Sequence, residues 1–294
     1  MAPSNHECLN CRLNGMEMQK EKTDWSPTNG IFKTKFINEE EKVRMDKEEW
    51  FFRPAFYITS ALYFILGYIT LGWGEKWAAT LFPEDHYFEN VGAISLFVAS
   101  AISFYIFGRA LKTRAITRIH WVKLLVYLGL GFLYFFGAGE EISWGQRIFH
   151  IQEPAGLAKE NVQHELNIHD LAIFEKSKLL KADNIFTVFW LAFAVAIPFA
   201  SLAWKSFKQF AEKFTPVVYW AIGLLFLFNY LGAKLGKLIY ASAYHYQIIP
   251  FPQAVQEIKE SNYELLFVFL SLIVLWNLNS LIREKSKLAS GVDT

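Results

Sequence analysis

Long apolar runs separated by polar stretches dominate the chain from about residue 54 onward. An α-helix needs about 20 mostly apolar residues to cross a membrane. Six runs meet this requirement, at roughly 54–73, 91–111, 121–138, 185–204, 217–236 and 265–282. The runs are continuous, whereas the strands of a membrane barrel alternate apolar and polar residues. The pattern therefore predicts an all-α, polytopic membrane protein with about six transmembrane helices.

The polar stretches divide the rest of the chain. Residues 1–35, with several Asn, Gly and Pro, predict a flexible N-terminal tail. Acids and bases interleave with aromatic residues over 36–53, which predicts an amphipathic segment at the membrane interface. The six-helix domain then covers 54–283, and 284–294 form a C-terminal tail. The connection at about 139–184 is too long to be structureless, so we expect it to be helical.

The distribution of charged residues predicts how the helices are oriented in the membrane. The net charge is +1, which gives no general attraction to nucleic acid or to anionic lipid. Basic residues collect before or between alternate helices, as at Arg109, Lys112 and Arg114, while the other connections are acidic. By the positive-inside rule, both termini are cytoplasmic and the acidic connections lie outside. The first apolar run begins too late for a cleaved leader, so we expect the chain to stay in the membrane.

The most unusual stretch follows the third run and reads GAGEEISWGQR over residues 137–147. Ionisable groups at membrane depth are candidates for function. The adjacent carboxyl groups of Glu140 and Glu141 cannot both ionise freely there, which suits a general acid or base. Arg147 is suited to clamp an anion. Trp144 and Gln146 are candidate substrate contacts. We therefore predict catalytic roles for Glu140, Glu141 and Arg147.

The geometry of this stretch depends on how far the helix extends. If it continues, Glu140, Ser143, Trp144 and Arg147 share one face. A structural alternative is a pairing of Glu140 or Glu141 with Arg147 or with Lys234. The sequence alone leaves two interpretations open: catalytic roles for these residues, or a structural pairing between them.

A second set of residues has the spacing of metal ligands. Glu165 and His169 are four residues apart, so on a helix they share a face. Glu257, Glu260 and Glu264 would likewise form one stripe. We predict Glu165, His169, Glu257 and Glu264 as ligands of a divalent metal, with zinc, manganese or iron suited to such nitrogen and oxygen donors. The alternative is a hydrogen-bonded network that closes the outer face. Cys8 and Cys11 supply only half of a four-ligand zinc site.

The string EEISWGQR after a third helix, followed by the Gln-x-Glu-x-Asn-x-His pattern of residues 163–169, resembles an uncharacterised family of multi-span bacterial membrane proteins. The resemblance covers about residues 50–280. It implies a bacterial inner (plasma) membrane location and favours Glu165, Asn167 and His169 as site residues. The chain departs from the family at His86 and His164, where the family has Gly. The resemblance implies a site and no particular reaction.

Three functions fit these observations. The first is an enzyme with an exoplasmic site, acting on a lipid or lipid-linked substrate in the bilayer. The second is a transporter or cation-responsive membrane protein, although transporters usually place charge near the midplane and often contain inverted repeats. The third is a non-catalytic scaffold subunit whose outer network only stabilises the fold.

Overall fold

The computed structural model describes residues 39–83, 86–150 and 182–290, and all regular structure within these ranges is helical. Six helical segments are long and apolar enough to cross a membrane, which confirms the predicted all-α, six-span architecture. They are Pro54–Gly72, Tyr87–Lys112, Trp121–Glu141, Asn184–Ala203, Trp220–Tyr240 and Phe251–Ala289. The orientation of the termini stays a prediction.

The spans belong to a series of helices that we number in chain order. These are α1 (Glu39–Ile69), α2 (Glu75–Leu81), α3 (Tyr87–Lys112), α4 (Arg114–Thr117), α5 (Trp121–Glu141), α6 (Gln146–Phe149), α7 (Ala182–Trp190), α8 (Ile197–Ala203), α9 (Lys205–Phe214), α10 (Trp220–Tyr240) and α11 (Phe251–Ser290). Short 3₁₀ turns follow α1 and α5, and a π-helical segment, Leu191–Ala196, joins α7 to α8. All six spans lie within one compact unit, residues 46–293.

Several helices are longer than the apolar runs that predicted them. The predicted interfacial segment and first span form one continuous helix, α1, with Pro54 inside it. Helix α11 begins at Phe251, fourteen residues before the predicted start at Leu265 (265 − 251), and extends into the predicted C-terminal tail. The predicted N-terminal tail and residues 151–181 of the predicted outer loop lie outside the described residues. The acids before the sixth apolar run therefore lie on the spanning helix itself.

The core forms where α3 packs against α5 and α11, and where α10 packs against α11. Aromatic rings fill much of it. The ring of Trp190 lies 5.3 Å from that of Tyr263, and Phe226 stacks on both rings. Helices in a membrane associate through such close packing and through hydrogen bonds between helices. An example is the hydroxyl of Ser100, which donates to the carbonyl of Gly131 over 2.9 Å.

The fourth span departs from a regular α-helix near Pro198, because a proline within a helix lacks the N–H group that would donate to the preceding turn. The departure is the π-helical segment Leu191–Ala196, immediately before α8. A Cβ atom placed on Gly223 of α10 would overlap the carbonyl oxygen of Ala194 in this segment. The absence of a side chain at Gly223 therefore allows α10 to approach this backbone closely.

Gly232 and Gly236, four residues apart on α10, form a surface against which a side chain packs. A Cβ atom on Gly232 would lie 2.8 Å from the ring of Tyr68, and one on Gly236 would lie 3.3 Å from the same ring. The glycines thus accommodate an aromatic ring from α1. On the same helix, the ammonium of Lys234 lies 5.4 Å from the ring centroid of Tyr230, a cation–π arrangement.

Beside Tyr68, a buried amide connects three helices. Asn229 is 0% exposed, and its Oδ1 accepts hydrogen bonds of 2.9 Å from the Tyr68 hydroxyl and from Nδ2 of Asn262. Its own Nδ2 donates to the carbonyl of Lys259 over 2.9 Å. We call Tyr68, Asn229, Asn262 and this carbonyl the asparagine network. It joins α1, α10 and α11 through hydrogen bonds in the core.

Candidate functional site

Three helix ends meet at one end of the spans and carry acidic residues. They are the last turn of α5, the first turn of α3 and the N-terminal half of α11. Helix α3 packs antiparallel to α5 and parallel to α11, so the start of α3, the end of α5 and the first half of α11 lie at the same end. The carboxyl groups that interact there form what we call the carboxylate cluster: Glu89, Glu141, Glu257, Glu260 and Glu264. The end that contains it is the acidic end.

Glu264 lies at the centre of the cluster and is only 5% exposed. A Cβ atom placed on Gly92 of α3 would overlap the Glu264 carboxyl group. The carboxyl group therefore occupies the space that a side chain at position 92 would fill. Its Oε2 atom is buried and has no hydrogen-bond partner among the described residues. Burying an ionised carboxyl group without a partner costs on the order of several kcal/mol.

Glu141 interacts directly with Glu264. The two carboxyl groups, 123 residues apart in sequence (264 − 141), lie within hydrogen-bonding reach of each other. Glu141 is half-buried, so one face of the pair stays accessible. Among the described side chains, no cation forms an ion pair with either residue. Two carboxyl groups in contact in a medium of low dielectric constant are stable when they share a proton.

Two hydroxyl groups add to the polar atoms around Glu264. Ser261, one turn earlier on α11, is 1% exposed, and its Oγ has no hydrogen-bond partner in the described part of the chain. The hydroxyl of Tyr63 on α1 lies near Tyr87, Ser261 and Glu264, but it forms no hydrogen bond of regular geometry among the described residues. Most buried polar groups in proteins have a partner. A group of three without one marks this region as a candidate site.

Among the other acids of the carboxylate cluster, Glu260 has a hydrogen-bond partner on its own helix. Nε2 of Gln256 donates a short hydrogen bond to Glu260, and the ammonium of Lys259 donates to Oε1 of Gln256 over 2.6 Å. Glu257 is half-buried, seven residues before Glu264 on the same continuous helix. The predicted stripe of acids on α11 therefore has helical spacing.

Helix α5 ends at Glu141, so the condition under which Glu140, Ser143, Trp144 and Arg147 would share one helix face is not met. Ser143, Trp144 and Gly145 have φ values of 46°, 52° and 75° and form a tight turn of left-handed residues. Left-handed backbone costs a non-glycine residue roughly 1–2 kcal/mol. Strain of this kind is found preferentially at functional sites.

The turn folds Trp144 back over the end of α5. Its indole Nε1 donates to Oε1 of Glu140 over 2.6 Å. A Cβ atom on Gly139 would lie 2.9 Å from the indole ring, and the ring of Phe136 is 5.2 Å away, edge to face. The predicted proximity of Trp144 and Glu140 is therefore present, although a turn produces it. Glu140 is held by Trp144, while Glu141 faces the carboxylate cluster.

The remaining predicted residues have different outcomes. Gln146 is half-buried in the first turn of α6, and the backbone of Arg147 follows in the same helix. Glu165 and His169 lie outside the described residues. Within residues 39–83, 86–150 and 182–290, no group of three or more His, Cys, Asp or Glu side chains is arranged to hold a metal ion. The metal site with Glu257 and Glu264 thus stays a prediction.

Sequence patterns missed the residues that make the Glu264 environment. Glu89 lies in the first turn of α3, where an acid stabilises a helix N-terminus, and it also interacts with Glu141 and Glu264. Gly92 and Tyr63 had no signal at all, because a glycine and a tyrosine are ordinary residues in a membrane helix. The polar Ser261 within α11 is the one signal that periodicity could have used.

Comparison with known proteins adds no assignment to this geometry. No family model, no curated protein and no solved structure matches the chain. The membership suggested by the string EEISWGQR therefore stays a proposal. The site is described from its own residues.

Proposed function

We propose that this integral membrane protein performs acid–base chemistry at its acidic end, as an enzyme that acts on a lipid or lipid-linked substrate. The supporting observation is the contact between the carboxyl groups of Glu141 and Glu264, which two distant helices bring together. Neither helix needs an acid at this depth in order to span a membrane. Such costly residues are retained in membrane helices mainly for function.

A proton shared by two carboxyl groups leaves one group able to donate and the other able to accept. Glu141, half-buried, is the group that reaches substrate and acts as general acid or base. Glu264 lies behind it and holds the shared proton, so it is a positioning residue. Separate environments for neighbouring carboxyl groups are a recurring way to divide acid and base roles.

The rim of the site supplies the proposed substrate contacts. Glu140 and Trp144 are joined by a hydrogen bond, which presents one polar edge and one aromatic face together. Gln146 and Arg147 follow directly after the left-handed turn. In this proposal Arg147 binds an anionic headgroup, and Trp144 and Gln146 orient it. The basic connections at the opposite end favour an exoplasmic site by the positive-inside rule.

A second candidate is a protein that binds a proton or another cation and responds to it or transports it. The observation that favours it is the burial of Glu264, which at 5% exposure is poorly placed to touch a lipid. Oε2 of Glu264, Oγ of Ser261 and the Tyr63 hydroxyl would together offer three oxygen ligands. Oxygen ligands of this kind suit a hard cation.

The enzyme proposal is tested in vesicles of phosphatidylethanolamine, phosphatidylglycerol and a polyprenyl phosphate that contain the purified protein. We expect new lipid products, detected by mass spectrometry, from the parent protein. Glu141→Gln should abolish them, because the amide cannot exchange the proton. Glu284→Gln, at an exposed position near the end of α11, is the matched control and should keep activity.

Two outcomes would count against the enzyme. Equal lipid profiles with and without protein would favour cation binding, which proton uptake by the parent and not by Glu264→Gln would then support. Equal behaviour of all variants in both assays would favour the scaffold. Elemental analysis of the same samples tests the metal prediction: zinc, manganese or iron near one per chain, lost in Glu264→Gln, would support a metal site and count against a proton shared by Glu141 and Glu264.

A further inference from the structure

A large cavity lies at the end of the spans opposite the carboxylate cluster. Helices α8, α9 and α11 and the connection at residues 216–219 form most of it, and α1 and α5 contribute one wall. Its volume is about 1030 Å³. Cavities that bind small molecules measure roughly 300–1,000 Å³. Most of the wall is apolar, with Pro198, Leu272, Leu275 and Leu278 among its residues.

One wall of this cavity carries buried polar atoms without partners. Ser201 on α8 is 6% exposed, and its Oγ has no hydrogen-bond partner among the described residues. A helical serine usually donates to the carbonyl four residues earlier, as Ser60 does to Phe56 over 2.9 Å. On α11, Oδ1 of Asn279 is also buried and unpartnered in the described chain. A bound molecule with polar atoms would satisfy both groups.

The cavity also contains two cationic side chains. The ammonium of Lys123, in the first turn of α5, donates to the backbone carbonyl of Glu212 over 2.8 Å. An ammonium group has three donors, so two remain for a ligand. The ammonium of Lys208 lies 3.7 Å from the Glu212 carboxylate and is about half exposed. With two cations and one anion, this part of the wall has a net positive charge that favours an anionic group.

We propose that this cavity binds an anionic phospholipid. The phosphate lies near Lys123 and Lys208, and an acyl chain occupies the apolar wall formed by α8 and α11. The position of Lys123 supports a lipid over a soluble anion, because it begins a membrane span and places the charge where headgroups meet acyl chains. The Ser201 hydroxyl donates to an ester oxygen just below the phosphate, and Oδ1 of Asn279 accepts a hydrogen bond from a hydroxyl of the headgroup. This site is independent of the acidic end.

Native mass spectrometry of the delipidated protein, titrated with phosphatidylglycerol, phosphatidylcholine or oleate, tests this proposal. We expect one phosphatidylglycerol to bind tightly, with phosphatidylcholine and oleate at least about tenfold weaker. Lys208→Gln should weaken phosphatidylglycerol about fivefold, since a lysine near anionic lipid contributes about 1 kcal/mol. Lys205→Gln removes an exposed lysine of α9 outside the cavity wall and is the matched control.

Ser201→Leu probes the cavity itself, because the larger side chain at this lining position reduces the cavity volume without breaking a hydrogen bond. We expect it to remove the tight site while the melting temperature of the lipid-free protein stays the same or rises. Undiminished binding by Ser201→Leu would place the lipid on the outer surface and overturn the proposal. Equal affinity for phosphatidylcholine, or preference for oleate, would overturn it as well.

Discussion

The asparagine network and the carboxylate cluster are two buried polar groups that differ at their central residues, Asn229 and Glu264, although Oδ1 of Asn262 in the asparagine network also has no hydrogen-bond partner in the described chain. Both include α11, where Asn262 and Glu264 are only two residues apart, and both contact α1 or α3. The side-chain oxygen and nitrogen of Asn229 both have partners, and each of these three hydrogen bonds is 2.9 Å long. Glu264 has a buried oxygen without a partner in the described chain.

This difference separates a structural role from a functional one. A buried amide whose groups are all paired contributes rigidity and costs little. A buried carboxyl group beside a second carboxyl group contributes no obvious stability, and replacing buried charge by neutral groups is often neutral or stabilising. We therefore expect the two regions to respond in opposite ways to substitution, although their burial is similar.

The largest effect should come from breaking the asparagine network. Asn229→Leu leaves the Tyr68 hydroxyl, Nδ2 of Asn262 and the Lys259 carbonyl without their shared partner. We expect the free energy of unfolding to fall by about 3 kcal/mol, because each orphaned buried group costs about 1–3 kcal/mol. Denaturant unfolding of the detergent-solubilised protein measures this change. A loss below about 0.5 kcal/mol would show that the network is replaceable, and the comparison would fail.

A smaller loss is expected at the contact between Gly92 and Glu264. Gly92→Ala places a methyl group where the carboxyl group lies, and such overpacking costs typically about 1–3 kcal/mol. A Cβ atom placed on Gly108, on the same helix α3, would have nothing within 4 Å, so Gly108→Ala is the matched control. There we expect a gain of roughly 0.5–1 kcal/mol from helix propensity.

Gly92→Ala is also made in a protein that carries Glu264→Ala. This double variant isolates the energy of the contact between Gly92 and Glu264. With the carboxyl group removed, Gly92→Ala should lose most of its cost. A coupling energy of about 1 kcal/mol or more is expected for residues in direct contact. Equal costs of Gly92→Ala in both backgrounds would mean that the two residues are not in contact.

The smallest stability effect should come from Glu264→Gln. The amide keeps the size of the carboxyl group, can donate to Glu141 and removes one charge from the cluster. We expect the free energy of unfolding to change by less than about 1 kcal/mol or to rise. Loss of acid–base function with retained stability would sharpen the contrast with Asn229. A loss as large as that of Asn229→Leu would instead assign Glu264 a structural role.

The sequence indicates which acidic residues belong to the site, but it does not indicate which residues surround them in space. The acids of α11 and the Glu140–Glu141 pair are visible in the sequence because charge is rare beside apolar runs. Their partners were not visible. Gly92 matters only because α3 packs against α11, and no local pattern identifies which helices are neighbours. The turn at Ser143–Gly145 was also missed, since two of its three left-handed residues are not glycine.

By itself, the sequence determined that six apolar helices cross a membrane, because hydrocarbon requires long apolar segments whose backbone hydrogen bonds are internal. It also placed acids near helix ends, where burial is least costly. Only the tertiary structure decided that Glu141 meets Glu264 and that Asn229 is fully paired while Glu264 is not. The physical reason is that contact between side chains over 100 residues apart depends on helix packing, which local hydrophobicity and spacing do not specify.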